Sequence, residues 1–295
     1  MNRIKKTKGE MAFDVVNYFI LTIITLLALY PVLYVIFASI SEPAALTRHS
    51  GLLLLPAGFN LEAYGHVFRN PNIISGYRNT IFLMIVGVSW NVLMTSLGAY
   101  FLSRKDVMWK NVIMFYFVFT MFFSGGMIPF FLNLQRFNLT GSLWGLIFPF
   151  SVSVFNMIIL RTGFQSNIPD ELTDSASMDG AGHFRILFRI VYPLSKALLA
   201  VMVLFYGVAM WNSWFWASVI IRDRSMLPLQ VILREILLFS DAATVGAEAG
   251  VMDAEAIGRT IRFATIVVAT APIVAIYPFL QKHFVKGVMV GAIKG

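Results

Sequence analysis

The 295-residue chain is 58% hydrophobic and only 13% charged, which excludes an ordinary water-soluble domain. Its net charge of +8 comes from basic residues scattered through the polar segments between apolar runs, so it marks no nucleic-acid footprint. With no cysteine in the sequence, disulfides and thiolate metal sites are excluded as well.

Residues 1–12 form a basic leader holding Arg3, Lys5, Lys6 and Lys8. Six later stretches contain no Asp, Glu, Lys or Arg: Val15–Ser41, Asn79–Ser103, Asn111–Gln135, Phe137–Leu160, Ala197–Ile221 and Phe263–Gln281. Each reaches or nearly reaches the ~20 residues a helix needs to cross a hydrocarbon core. The expectation is an all-α integral membrane protein with six transmembrane helices over residues 13–283 and a tail at 284–295. The first run is too long for a signal-peptide core and lacks a small-residue cleavage site, so it reads as a retained span. Placing both termini in the cytoplasm puts fourteen of the 23 Lys/Arg on the inner side, in keeping with the positive-inside rule.

Pro31 predicts a kink in span one. Ser41–Tyr77 is a long outer loop whose run of four leucines is too short to span. GYRNTIF at 76–82 opens span two, and a short inner loop follows with Arg104, Lys105 and Lys110. Span three carries Ser124, Gly125, Gly126 and Pro129, either for close helix packing or as the wall of a path. Span four contains Ser153 and Asn156. Span five reads YGVAMWNSWFWASVI, with Tyr206, Met210, Trp211, Asn212 and Ser213 inside about three turns of helix. Its tryptophans suit interfacial anchoring, whereas an amide such as Asn212 inside a span prefers a wet cavity or a protein partner. Residues 222–260 form a second outer segment, and span six carries Pro272 and Pro278.

The longest polar interruption between spans that also carries a helix–turn–helix signature is Ile168–Lys196. Pro169 suits a first helical turn, and Asp170 and Glu171 complement the positive helix end. Gly180 and Gly182 stop that helix near Met178. A second helix starts near His183 and meets Pro193, which bends it on entry to span five. Phe184, Leu187, Phe188 and Val191 share one face and Arg185 and Arg189 another, as expected of a helix lying in a membrane interface.

DSASMDGAGHFRILFRIVYP in this loop resembles the "EAA" loop of permease subunits in ATP-driven importers of the ABC class. Asp174 stands where that motif usually has Glu, Ser175 and Ala176 replace its alanines, and Asp179, Gly180 and Ala181 match its frequent DGA. Phe184, Ile190 and Pro193 complete the pattern; the shorter acid at 174, and Ala197 where a proline is common, depart from it. GYRNTIF…AYFLSR, the Trp211–Asn212 pair and the VKG of the tail are similar to the maltose-type, carbohydrate-importing branch, closest to permeases for pectin- or alginate-derived oligosaccharides. The resemblance covers essentially the whole chain. It implies a type I ABC importer permease fold in a bacterial or archaeal cytoplasmic membrane, with a coupling loop at 167–193 that includes a cytoplasmic coupling helix. It also implies a second homologous permease, two ATPase subunits binding ATP and Mg, and an external or periplasmic sugar-binding protein. Asp174, Ser175, Ala176, Asp179, Gly180, Ala181 and Arg185 would contact the ATPase. Lys286, Gly287, Lys294 and Gly295 of the tail would insert between the two ATPases, unless the tail is a frayed terminus.

The residues themselves offer no catalytic constellation. No phosphate-cradling GxxxxGK[ST] or HExxH occurs, and the four histidines fall in separate polar segments. No acid or lysine sits mid-span, where an ion-coupled carrier would place one. The chain is thus expected to have no cofactor of its own. Sugars need amides or hydroxyls beside aromatic rings, and Ser124, Ser153, Asn156, Tyr206, Met210, Trp211, Asn212 and Ser213 are the candidates for a sugar path, with helix packing as the competing role. A self-sufficient carrier or intramembrane enzyme is the alternative function.

Overall fold

A computed structural model describes residues 7–245 and 256–275. Described residues are helical or irregular throughout. In chain order the helices are α1 (Lys8–Ser39), α2 (Pro43–Arg48), α3 (Glu62–Arg69), α4 (Pro71–Ser103), α5 (Lys110–Phe122), α6 (Met127–Arg136), α7 (Val154–Asn167), α8 (Asp170–Met178), α9 (His183–Leu194), α10 (Lys196–Trp211), α11 (Trp214–Ile220), α12 (Leu229–Val245) and α13 (Ala256–Ala275). They form two compact units: residues 1–70 with 235–271, and residues 71–234 with 272–295.

In the first unit α1 opens on a reciprocal cap. Glu10 N–H donates to the Thr7 hydroxyl while the Glu10 carboxylate accepts from Thr7 N–H, satisfying two donors that a helix start leaves free. The core gathers at the other end of α1. Ala38, Leu46 and Leu53 are buried beside Tyr34, Phe37 and Phe263, with Tyr34 and Phe263 edge to face at 5.6 Å. The four-leucine run puts only Leu53 inside, where its N–H donates to the Tyr30 hydroxyl at 3.2 Å. Most of α1 stays exposed, Phe13, Tyr18 and Leu27 included, as suits a helix whose apolar surface faces lipid or a partner rather than its own chain.

The second unit is built around α4, which packs on α7 and α10. Ala99, Leu102, Met157, Leu160, Leu187 and Met202 are fully buried between them. Polar pairs fix the contacts. The Tyr206 hydroxyl accepts from Ser153 N–H at 2.8 Å and meets the Thr95 hydroxyl at 2.5 Å. Ser96 bonds Tyr192, and Trp90 Nε1 donates to Ser151 Oγ at 2.7 Å. The first turns of α4 explain GYRNTIF. A Cβ on Gly76 would lie 3.0 Å from Leu229 Cα, so only glycine lets α12 come this close. Asn79 Nδ2 donates to the carbonyls of Ser225 and Leu227, and the Thr80 hydroxyl accepts from Leu229 N–H.

Among the described residues three helices (α1, α4 and α13) are each long and apolar enough to cross a membrane, and up to six spans result if each bent pair counts as one. Three expected spans are therefore interrupted. Between α5 and α6 the chain turns by 115° at Gly126, whose φ of 87° and ψ of 172° are open essentially to glycine alone. α5 has already ended at Phe122, so Gly126 sets the turn that leads into α6. Two 3₁₀ turns, Leu143–Leu146 and Phe148–Phe150, precede α7 at a 49° bend. Span five is not one helix either, since α10 stops at Trp211 and α11 starts at Trp214. An 89° bend separates α9 from α10, after Pro193, which has no N–H to give back to the preceding turn. The turn before it, Leu187–Val191, is π-wound. This wider winding rotates the expected apolar stripe: Ile186, Leu187 and Val191 are buried, while Phe184 and Phe188 are exposed.

Asn79 is buried and spends its amide on two carbonyls, so Asn79→Leu leaves both unpaired. The expected loss is about 1–2 kcal/mol, seen as a lower melting temperature of the detergent-purified protein. An unchanged melting temperature would contradict the anchoring role.

Candidate functional site

Two places in the second unit bring the predicted residues together. The first is the loop around α8. Pro169 stands just before the helix as its cap, with φ −60° and ψ 139°, rather than in the first turn. At the far end Gly180 adopts φ 77°. Its N–H donates to Ser177 O, and Ala181 N–H donates to Ala176 O, both at 3.0 Å. That pair of bonds is the left-handed helix stop that glycine makes best. No heavy atom lies within 4 Å of where a Gly180 Cβ would sit, so the constraint is conformational and not steric. Of α8, Thr173 alone is buried. Asp174, Ser175, Asp179 and Arg185 are exposed, Ala176 and Ala181 are half-buried, and Met178 is 89% exposed.

What holds α8 is the C-terminal end of α4 and the loop after it, which the sequence reading did not tie to α8. The last four carbonyls of α4 all find donors: Ser103 Oγ for Tyr100, Arg104 N–H for Phe101, Arg161 Nε for Leu102 and Gln165 Nε2 for Ser103. Basic groups there also suit the negative helix end. Arg104, its side chain 17% exposed, then reaches α8. Its Nη1 donates to Thr173 Oγ1 at 2.7 Å, and its Nη2 lies 3.8 Å from Asp174 Oδ1. Lys105 pairs with Asp170. Their hydrogen bond pulls the Asp170 carboxyl below its ordinary range and pushes the Lys105 ammonium up. The contribution of this pair is lost only as pH falls through the depressed carboxyl value or rises through the raised ammonium value, so it is fully formed at neutral pH. A polar cleft of about 200 Å³ lies under the loop, between Tyr100, Arg104, Gln165, Asp170 and Thr173.

The second place is a cavity of about 450 Å³, inside the ~300–1,000 Å³ typical of small-molecule sites. Ser153, Tyr206, Met210, Asn212 and Ser213 line it, as do Phe150, Phe215 and Trp216. Phe130 closes an aromatic cluster with Phe150 and Trp216, at 5.6 and 4.8 Å. Asn212 is the C-terminal cap of α10, its Nδ2 donating to Val208 O at 2.9 Å. Trp211 is buried but off the lining, and Asn156 lies one turn inside, its N–H on Ser153 Oγ at 3.4 Å. Ser124 is exposed at the α5–α6 break, away from the cavity. Tyr206 spends its hydroxyl on Thr95 and Ser153, so it offers the cavity mainly a ring face. Asn91 of α4 also lines the cavity; it is 1% exposed, and its Oδ1 has no hydrogen-bond partner. Reasoning from sequence missed it, although a lone amide within an apolar run is the same signal that marked Asn212. The predicted tail residues Lys286, Gly287, Lys294 and Gly295 lie outside the described residues.

Residues 92–290 match the family of the binding-protein-dependent transport system inner membrane component. The chain belongs to this family. Relatives extend the match over nearly all of its length. Protein LplC of Bacillus subtilis (strain 168) is 37% identical over 98% of this permease and 97% of its own length. The polygalacturonan/rhamnogalacturonan transport system permease protein YtcP of the same strain is 38% identical over 96% and 98%. The permease fold also superposes on a chain from the crystal structure of a bacterial ABC transporter involved in the import of the acidic polysaccharide alginate. That match has a TM-score of 0.85 and 34% identity, and covers 96% of this permease and 100% of that chain. The self-sufficient carrier or intramembrane enzyme finds no support among these matches.

Gly180→Asn is expected to keep the α8 stop, because asparagine tolerates a left-handed backbone. Gly180→Val forces a β-branched residue there, at about 1–2 kcal/mol, and should distort the loop. Limited proteolysis of the two purified variants reads the difference. Equal protection of the 178–183 segment in both would contradict a conformational role for Gly180.

Proposed function

We propose that this permease forms one half of the membrane path of an ATP-driven oligosaccharide importer, with residues 13–283 crossing the membrane six times and both termini in the cytoplasm. A second homologous permease completes the path, and a binding protein delivers the sugar from outside. Two ATPase subunits bind ATP and Mg and dock on the loop at 167–193. The observation that carries this reading is the exposure of α8. It buries one side chain in its own chain and presents Asp174, Ser175, Met178 and Asp179 outward, an arrangement that suits a docking helix better than an ordinary packed one.

The cargo follows from the cavity and the relatives together. Relatives that carry polygalacturonan, rhamnogalacturonan or alginate in their names point to acidic oligosaccharides. The lining of this cavity carries no charged side chain among the described residues. This half therefore reads hydroxyls and ring faces, with Trp216 and Phe215 as stacking walls and Asn91 Oδ1 and Asn212 as hydrogen-bonding groups. The carboxylates are left to other surfaces of the importer.

Removing the unpaired Asn91 acceptor by Asn91→Leu costs a bond worth about 1–1.5 kcal/mol, or roughly a tenfold drop in uptake if that bond forms during passage. Binding-protein affinity and complex yield are expected to stay normal, and Asn212→Leu should act in the same direction. Radiolabelled oligogalacturonide uptake into proteoliposomes measures it. Full uptake with lower thermal stability would instead make both amides interhelical glue, worth ~1 kcal/mol.

A further inference from the structure

We infer that Arg104 is the positioning residue through which α8 acts on the cavity, by way of α4; this rests on the proposed docking of α8 on an ATPase. Three observations converge on it. Arg104 is mostly buried, and its guanidinium donates to the one buried residue of α8, Thr173, at 2.7 Å. The Thr173 hydroxyl in turn donates to Asp170 O at 2.8 Å, so the bond grips the backbone of α8 and not merely a side chain. The carbonyl of Arg104 accepts from Lys110 Nζ at 3.1 Å, and the carbonyls of Leu102 and Ser103 just before it are held by α7. Arg104 is thus fixed from behind and cannot yield to a pull from α8 by swinging free.

The other end of the linkage is the cavity. Asn91 lies twelve residues before Ser103, the last residue of the same continuous helix and the neighbour of Arg104, ~18 Å along its axis, and Thr95 between them bonds Tyr206 of the cavity wall. A displacement of α8 therefore reaches the unpaired Asn91 amide as a movement of α4. The guanidinium suits this role better than an ammonium, because its rigid fork spans the Thr173 hydroxyl and the Asp174 carboxylate together. Asp106 Oδ1 lies 3.6 Å from Nε, which itself makes no hydrogen bond.

The test uses the full importer, reconstituted with its ATPases and binding protein. Arg104→Met should lower uptake at least tenfold per assembled complex and abolish stimulation of ATP hydrolysis by the loaded binding protein, with basal hydrolysis within twofold of normal. Thr173→Val should reproduce the loss of stimulation and Thr173→Ser should not. The double variant R104M/T173V should be no worse than R104M alone, since both remove one bond. Stimulation within twofold of normal in R104M and T173V would overturn the inference. So would losses that track complex yield alone, or equal defects in Thr173→Ser and Thr173→Val. Gly180→Val separates the two levels: if it uncouples hydrolysis from uptake while R104M does not, docking through α8 stands and the Arg104 linkage fails. If neither variant affects stimulation, the docking itself fails and the linkage falls with it.

Discussion

A helix ends with four carbonyls that have no partner in the helix itself, and at the C-terminal end of α4 every one of them is bonded within the protein. Side chains of α7 take two, a serine of the last turn takes one, and the chain's own turn takes the fourth. With its backbone satisfied, the segment after α4 places a mostly buried arginine against α8. The loop that the family resemblance marks as a docking element is short and otherwise exposed. It keeps its position because α4, α7 and the segment at 104–110 are tied into one polar knot beneath it.

The same helix carries the cavity at its middle. Broken helices are tolerated at membrane depth only where the freed backbone is buried in protein or lines a wet space. The interruption at Asn212–Ser213 meets that condition, since both residues line the cavity and Asn212 caps the helix it ends. The bonds of Tyr206 to Thr95 and Ser153 hold α10, α4 and the start of α7 around this space. Those hydroxyls therefore shape the cavity, while the amide oxygen of Asn91 on its lining has no hydrogen-bond partner. Aromatic rings supplied by α11 and the 3₁₀ turns before α7 complete an uncharged lining.

Much of this was legible in the sequence. Runs without charge located the apolar segments, and the α8 helix fell within Asp170–Met178 because glycine and proline chemistry is local. Continuity of the spans was not legible, because hydropathy measures transfer from water and says nothing of where a backbone must turn. Gly126 turns the chain into α6 and Asn212 caps the end of α10, matters of backbone conformation and capping that an apolar count does not weigh. The Phe184–Val191 stripe shifted because a π-wound turn before Pro193 changes the residue period. Arg104 and Asn91 were missed on different grounds. Arg104 read as one more inner-loop cation, and only folding brings it to Thr173. Asn91 carried a signal, a single amide in an apolar run, that was applied to span five and not to span two.

The central claim is that α8 and the C-terminal end of α4 travel together during transport. Because the sequence has no native cysteine, the chain carrying Lys105→Cys and Asp170→Cys has only the two introduced thiols. Uptake into proteoliposomes, before and after a short bis-maleimide joins them, is the most direct measurement. Unchanged uptake in the joined protein is the predicted result. Loss of uptake on joining, with full activity before it, would show that the two elements must separate and would contradict the account.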